Sequence, residues 1–239
     1  MSVTTAILLA AGRGSRLSPH TDTIPKPLLP WRGKPSLHWL LQALRGTPVS
    51  KILVVTNYLE EQIVEFVQQP EYTDHADIKC VHQSSLSGTA DAVLSSIEQQ
   101  PDWFKNDFIV SATDYLIDNS FYAELTEFHR QHNNDISISL KALSIDTLSM
   151  RSSVRINDQW QISEVVEKPA PGTAPSRYSA NLVYVLPAGI VPYLRQVEIS
   201  PRGEYELQSA VNQYLQQPHT AKGLLQPTPD EWTADLAER

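Results

Sequence analysis

A chain of 239 residues, 41% hydrophobic and 19% charged, has room for one large α/β unit and too little polar bias for extensive disorder. Its formal net charge of -8 excludes the basic face that a general binder of nucleic-acid backbone needs, so any phosphate chemistry must rest on local cations. The single Cys80 excludes a disulfide framework and a multi-cysteine zinc site, no apolar run reaches the about 20 residues of a membrane span, and no charged leader precedes the first apolar run; together these set the expectation of a cytoplasmic protein.

Short apolar runs alternate with helical periodicities through the first half of the chain. Residues 6–10 are predicted as a strand, 36–44 as a helix, 51–56 as a strand, and 59–68 as a helix with Leu59, Ile63 and Phe66 on one face. Residues 78–82 follow as a strand, 89–98 as a helix and 108–112 as a strand. This βαβαβαβ order implies a Rossmann-like twisted, mixed but mainly parallel sheet with helices on both faces. From Asp135 the pattern changes to extended runs at 136–143, 153–156 and 162–166, with Asn157-Asp158 as a hairpin turn. These strands are expected to form a small β-rich substrate-binding part. An apolar run at 182–186, helices at 188–195 and 205–215, and a Pro-rich stretch at 218–230 complete the pattern. The whole is read as a single unit, 1–239, with a nucleotide-binding half (1–134) and a substrate-binding half (135–239).

The first strand runs directly into Ala10-Ala11-Gly12-Arg13-Gly14-Ser15-Arg16-Leu17. A glycine turn at the carboxyl end of a strand lets backbone N–H groups approach phosphate oxygens, and Arg13 and Arg16 add charge-assisted donors. It is neither a P-loop, since no Gly-Lys-Ser/Thr follows, nor a dinucleotide fingerprint, since Leu17 stands where the third glycine would be. Downstream, Pro25-Lys26-Pro27 restricts the backbone on both sides of a lysine and holds it in one direction. After the third strand, Gln83 and Gly88 bracket a loop that leads into a helix. A glutamine amide has both donors and an acceptor and suits the edge of uracil or thymine; because it can rotate to serve cytosine, the base stays open. The strand 108–112 leads to Asp114, a hard oxygen ligand suited to Mg²⁺ beside a triphosphate. Glu167-Lys168 pairs an acid for hydroxyls with a base for a phosphate.

The runs Leu9-Ala10-Ala11-Gly12-Arg13-Gly14-Ser15-Arg16-Leu17, Thr23-Ile24-Pro25-Lys26-Pro27-Leu28-Leu29-Pro30 and Gly33-Lys34-Pro35 resemble the opening of the sugar-phosphate nucleotidyltransferases, which include glucose-1-phosphate thymidylyl- and uridylyltransferases and phosphocholine-type cytidylyltransferases. The resemblance implies that Leu9, Ala11, Gly12, Gly14, Gln83, Gly88 and Asp114 hold the nucleotide, and that Arg16 and Lys26 grip the phosphates and support transfer. It also implies that Glu167, Lys168 and Asn181 bind the phosphorylated substrate and that Asp114 coordinates Mg²⁺. Gly203-Glu204-Tyr205-Glu206-Leu207 is similar to a late helix that supports the pocket. Two departures stand out. Thr113 replaces the glycine before the metal-binding Asp, which narrows the pocket. The terminal Trp-x-Asp is one residue longer here, as Trp232-Thr233-Ala234-Asp235, so Asp235 and Asp230 are only candidates for a second metal ligand.

The expected reaction couples a nucleoside triphosphate to a sugar 1-phosphate and releases pyrophosphate by in-line attack on the α-phosphorus. The expected partners are the triphosphate and the phosphorylated small molecule, with no nucleic acid and no membrane; homo-oligomer formation is left open. Three alternatives are weighed. A cytidylyltransferase for phosphocholine would be favoured by an anionic or aromatic pocket for the quaternary ammonium, with Tyr178, Tyr184 and Trp160 as candidate walls. A non-catalytic nucleotide-sugar sensor would fit Thr113 and the displaced terminal Asp. A Rossmann oxidoreductase would need the glycine that Leu17 replaces.

Overall fold

The computed structural model describes residues 2–115 and 118–226. In chain order the strands are β1 (Thr5–Leu9), β2 (Pro30–Trp31), β3 (Lys34–Pro35), β4 (Lys51–Thr56), β5 (Asp77–His82), β6 (Phe108–Ala112), β7 (Ile136–Ala142), β8 (Ser152–Ile156), β9 (Ile162–Glu167), β10 (Tyr178–Leu186) and β11 (Ala221–Leu225). The helices are α1 (Ser36–Leu44), α2 (Glu60–Val67), α3 (Pro70–Thr73), α4 (Thr89–Gln99), α5 (Phe121–Gln131), α6 (Ile145–Leu148), α7 (Val191–Leu194) and α8 (Leu207–Leu215).

Strands β5, β4, β1 and β6 lie side by side and parallel, and their near-continuous apolar sequences are those of strands covered on both faces. Alternation sorts each strand into two cores. Ile7, Leu53, Val55, Phe108 and Val110 pack with Val93 and Ile97 of α4, Leu194 of α7 and Val211 of α8. Ala6, Leu8, Ile52, Val54 and Ile109 face the opposite way, onto Leu37 and Leu40 of α1, Ile63 of α2 and Phe121 and Leu125 of α5. Each fully buried Leu, Ile or Phe contributes about 1.5–3 kcal/mol of transfer free energy, which fixes the register of every strand against both helical layers.

The strand order reverses direction at β1, since β4 and β5 extend on one side and β6 returns on the other. The crevice between the carboxyl ends of β1 and β6 is therefore the topological switch point of the sheet, where open α/β sheets take their ligands. Beyond β6 the sheet turns mixed: β10 is antiparallel to both β6 and β7, and β11 is parallel to β7. The register of β10 against β7 shifts between Ala180 and Tyr184. On its other side, Val183 to Leu186 pair with β6 while Ser179 and Ala180 pair with β8. The β8–β9 hairpin thus stands past the carboxyl end of β6 and overhangs the switch point.

Every strand and helix expected in the parallel half is found, each bound within one residue, while β2, β3 and α3 occupy segments with no predicted element. The hairpin differs in its turn: Ile156 faces Ile162, and a five-residue loop joins them instead of a two-residue turn. Asn157 organises that loop, its Oδ1 accepting from the N–H groups of Gln159 and Gln161, both at 3.0 Å. The helical stretch at 188–195 is a 3-10 turn followed by the four-residue α7. Strand β11 lies inside the Pro-rich stretch, and α5 occupies a segment with no predicted element. Among the described residues no helix is long and apolar enough to cross a membrane.

Candidate active site

A cavity of about 280 Å³ opens at the switch point, with Leu9, Ala11, Gly12, Lys26, Gln83, Gly88 and Asp114 on its wall. The chain leaves β1 through Ala10, whose N–H bonds Val55 O at 3.0 Å and holds the turn against the sheet. A Cβ on Gly12 would meet no atom within 4 Å, so that glycine leaves open space on the cavity side and does not relieve an internal clash. Gly14 is different. It has φ +64°, and a Cβ there would lie 3.0 Å from Thr21 Cγ2 and 3.1 Å from Lys26 Cβ. Gly14 is on the wall of neither cavity described here; its smallness lets the stem of Lys26 pack beneath the turn. Arg13 turns away as well, its guanidinium 5.0 Å from the ring centre of Tyr58.

Lys26 opens a single 3-10 turn between Pro25 and Pro27, and its ammonium group pairs with Oδ2 of Asp114. The residue expected to grip phosphate and the residue expected to hold the metal are thus each other's counter-ion. Among the described residues no group of three or more His, Cys, Asp or Glu side chains could hold a metal ion, and the wall common to both cavities carries two carboxylates, Asp114 and Glu204. That set fits Mg²⁺, which keeps its waters and needs one or two carboxylates plus substrate phosphate oxygens. Asp230 and Asp235 lie outside the described residues. Thr113, in place of glycine, lines the cavity and donates its hydroxyl to Leu9 O at 3.1 Å, tying the ends of β1 and β6 together.

Gln83 follows β5 and is 3% exposed. Its Nε2 donates to Oδ2 of Asp91 at 2.8 Å and to Gly88 O at 3.3 Å. Gly88 has φ +128°, and a Cβ on it would fall 2.4 Å from Tyr205 O and 2.6 Å from Tyr205 N. The glycine is therefore required for close contact with residues 203–206 and not only for space beside a ligand. Backbone bonds from Tyr205 N–H to Ser87 O (2.8 Å) and from Ala90 N–H to Tyr205 O (2.9 Å) hold that contact.

A second cavity of about 650 Å³ adjoins the first and shares Lys26, Thr89, Asp114, Leu182 and Glu204 with it. The β8–β9 hairpin supplies Glu167 and Lys168, and Arg16 reaches it from the glycine turn. Glu167 is held on both oxygens: Oε2 accepts from the Ser152 hydroxyl and from Gln208 Nε2 at 3.0 Å, and Oε1 lies 3.4 Å from the Arg202 guanidinium. Arg202 also pairs with Glu206 at 2.7 Å. Lys168 adopts φ +45° and donates its N–H to Arg151 O at 3.0 Å, which aims the residue after β9 into the cavity. Tyr115 lines the same space, and burial, reinforced by the Asp114 charge, pushes its phenol up to about 12, so it is a neutral donor there.

Asn181 does not join them. It is on the wall of neither cavity, is 2% exposed, and its Nδ2 has no hydrogen-bond partner among the described residues. The aromatic walls weighed for a quaternary ammonium are absent too: Trp160 packs on Tyr178 with ring centres 5.2 Å apart, and Tyr184 is fully buried. Asp91, Arg151, Arg202 and Gln208 belong to the site and escaped the sequence reading. Arg202 and Gln208, on either side of the 203–207 run, and Asp91, just past Gly88, sat next to signals that could have found them; Arg151 did not.

A cavity at the switch point of an open α/β sheet, joined through a lysine–carboxylate pair to a larger charged cavity, is a two-part site placed where such sheets bind ligands. The comparisons with known proteins agree: a family model described as Nucleotidyl transferase matches residues 5–232, and the chain belongs to that family. It is 29% identical over 231 residues to the UTP–glucose-1-phosphate uridylyltransferase AglF of Haloferax volcanii, covering 97% of this chain and 90% of that protein. It is 27% identical over 211 residues to the bifunctional protein GlmU of Methanococcus maripaludis, covering 88% of this chain but 47% of GlmU, so it spans about half the length of that relative. In fold it is similar to a UDP-glucose pyrophosphorylase crystallised with UDP-glucose, with a TM-score of 0.86 at 18% identity over 99% of this chain and 100% of the other.

Proposed function

We propose that this chain is a sugar-1-phosphate nucleotidyltransferase: it joins a nucleoside triphosphate to a sugar 1-phosphate, giving a nucleotide sugar and pyrophosphate. The observation that carries the reading is the pair of adjoining cavities whose shared wall contains Lys26 and Asp114. The smaller cavity, from residues 1–134 apart from Leu182 and Glu204, takes the nucleotide. The larger, built mainly from residues 135–239, takes the acceptor.

A phosphate monoester is largely ionised at neutral pH, so attack needs no strong base, and catalysis reduces to positioning and charge neutralisation. An acceptor phosphate oxygen bonds to the α-phosphorus as the bond to the departing pyrophosphate breaks in line. Lys26 and Arg16 neutralise the triphosphate oxygens, Lys168 and Arg202 hold the acceptor phosphate, and Glu167 takes sugar hydroxyls. Mg²⁺, held by Asp114, supplies further charge on the phosphate oxygens when bound. These local cations answer the net charge of -8. The free Cys80 and the need for a triphosphate pool favour the cytoplasm. Trp160, Tyr178 and Tyr184 are off the acceptor cavity's wall, but Tyr115 and the carboxylates Asp146, Glu167, Glu204 and Glu206 are on it, so the phosphocholine arm of the test decides between the two acceptors.

The test is pyrophosphate release over a grid of nucleoside triphosphates against sugar 1-phosphates and phosphocholine, with Mg²⁺. Turnover with a sugar 1-phosphate is the expected result. Turnover with phosphocholine alone would move the acceptor assignment, and no release from any pair would leave a nucleotide-sugar sensor in place of an enzyme.

A further inference from the structure

We infer that Asp91 selects the base: it locks the Gln83 amide so that the nucleotide cavity accepts bases with a proton on the ring nitrogen of their pairing edge, which are uracil, thymine and guanine, over cytosine and adenine. The inference rests on the smaller cavity being the nucleotide site.

A buried primary amide has two protons on nitrogen and one acceptor oxygen to satisfy. Both Nε2 protons of Gln83 are engaged, one by Oδ2 of Asp91 at 2.8 Å and one by the Gly88 carbonyl at 3.3 Å. A carboxylate and a peptide carbonyl can only accept. A half-turn of the amide would set Oε1 of Gln83 against both oxygens, so one orientation survives. Asp91 is itself anchored: its Oδ2 accepts from the Ser87 hydroxyl at 2.7 Å, and it stands in the first turn of the 11-residue α4, where the positive end of the helix dipole favours a carboxylate. What Gln83 presents to the cavity it lines is therefore Oε1, an acceptor with no proton to offer.

That single acceptor divides the bases. Uracil and thymine carry N3–H and guanine carries N1–H, each of which can donate to Oε1. The corresponding atoms of cytosine and adenine are lone pairs, which would meet another lone pair. Discrimination by an introduced repulsion of this kind is specificity by exclusion, and it needs no contact between Asp91 and the base. Asp91 is a positioning residue acting through Gln83.

The test measures dissociation constants of UTP, dTTP, GTP, CTP and ATP by calorimetry with Mg²⁺ and no acceptor, on the wild type and on Asp91→Asn. At least one of UTP, dTTP and GTP is expected to bind about 10–100-fold more tightly than both CTP and ATP, the range of one hydrogen bond involving a mismatched polar group. In Asp91→Asn the side chain can donate or accept, Gln83 is free to turn, and the ratio is expected to collapse to within about threefold, chiefly through tighter CTP. Tightest binding of CTP or ATP by the wild type overturns the inference, as does an unchanged ratio in a folded Asp91→Asn. Should that variant fail to fold by circular dichroism, Ser87→Ala removes one anchor of Asp91 and is expected to narrow the ratio; no change there also counts against the lock. Because the readout is binding, a base preference without any pyrophosphate release would sink nucleotidyl transfer and leave the base filter standing.

Discussion

Replacing Lys26 by Ala separates catalysis from folding more cleanly than any other single change in the site. The side chains of Lys26 and Asp114 are 27% and 33% exposed, so the partly solvated ion pair contributes about 0.2–1 kcal/mol, and the Lys26 stem packed beneath Gly14 adds about 1 kcal/mol of burial. Asp114, left alone, regains water at its open side. For a chain of this length a loss of at most about 2 kcal/mol lowers Tm by no more than about 8 °C. The same ammonium placed against the oxygens of a reacting triphosphate, in a cavity that excludes much of the solvent, stabilises developing charge by about 3–4 kcal/mol, a factor of about 10²–10³ in kcat. Steady-state pyrophosphate release and thermal denaturation, measured on the same preparation, give the two numbers. Turnover within about threefold of wild type, or a loss of turnover that merely tracks the unfolded fraction, refutes the assignment of Lys26 to the phosphates.

Asp114→Asn keeps the shape and removes the charge; turnover is expected to fall about 100-fold and its Mg²⁺ dependence to shift to higher concentration, and unchanged metal titration would take Asp114 out of the site. Gly88→Ala places a Cβ 2.4 Å from Tyr205 O at φ +128°, so urea denaturation is expected to register a loss of about 3 kcal/mol or more, and a loss under about 1 kcal/mol would mean residues 203–206 are not seated as described. His38, 2.9 Å from the Tyr72 hydroxyl, has its pKa lowered from 6.5 by burial, against the pull of Glu71. The unfolded chain therefore takes up the proton first: stability is full above about pH 6.5 and declines as pH falls below it, until His38 protonates in the folded state. Denaturation midpoints across that window should slope less in His38→Gln, and identical slopes would clear His38 of the effect.

The parts of the fold legible in the sequence are those whose signal is local. Strands β4 and β6 and helix α1 match their predicted bounds because a short apolar run buried on both faces, or an apolar stripe, carries its own boundaries. Helix α5 had such a stripe in Phe121, Tyr122 and Leu125 and was missed because the polar residues Glu127 and 129–133 dilute it. Strand β11 has no local signal: Ala-Lys-Gly-Leu-Leu becomes a strand only by pairing with β7, 85 residues earlier. In the site the distinction is the same. Lys26, Gln83 and Asp114 announce themselves through neighbours in sequence, whereas the Arg202–Glu167 contact joins residues that no spacing rule connects. Asn181 is the converse case, a residue type matched in sequence that lies buried and off both cavity walls, which local pattern alone does not foretell.

Residues 202–207 explain why a glycine at 88 serves two purposes at once. Their backbone is stitched to the nucleotide loop by Tyr205 at Ser87 and Ala90, and by the Leu207 N–H to the Thr89 hydroxyl at 3.0 Å. Their side chains reach the other way, with Arg202 on Glu167 and Glu204 on the wall shared by both cavities. A displacement of the nucleotide loop by a Cβ at residue 88 would therefore move Arg202 relative to Glu167. The acceptor cavity would feel a substitution made in the nucleotide cavity, and a weakened KM for the acceptor in Gly88→Ala, at a temperature where the variant stays folded, is the kinetic mark of that connection.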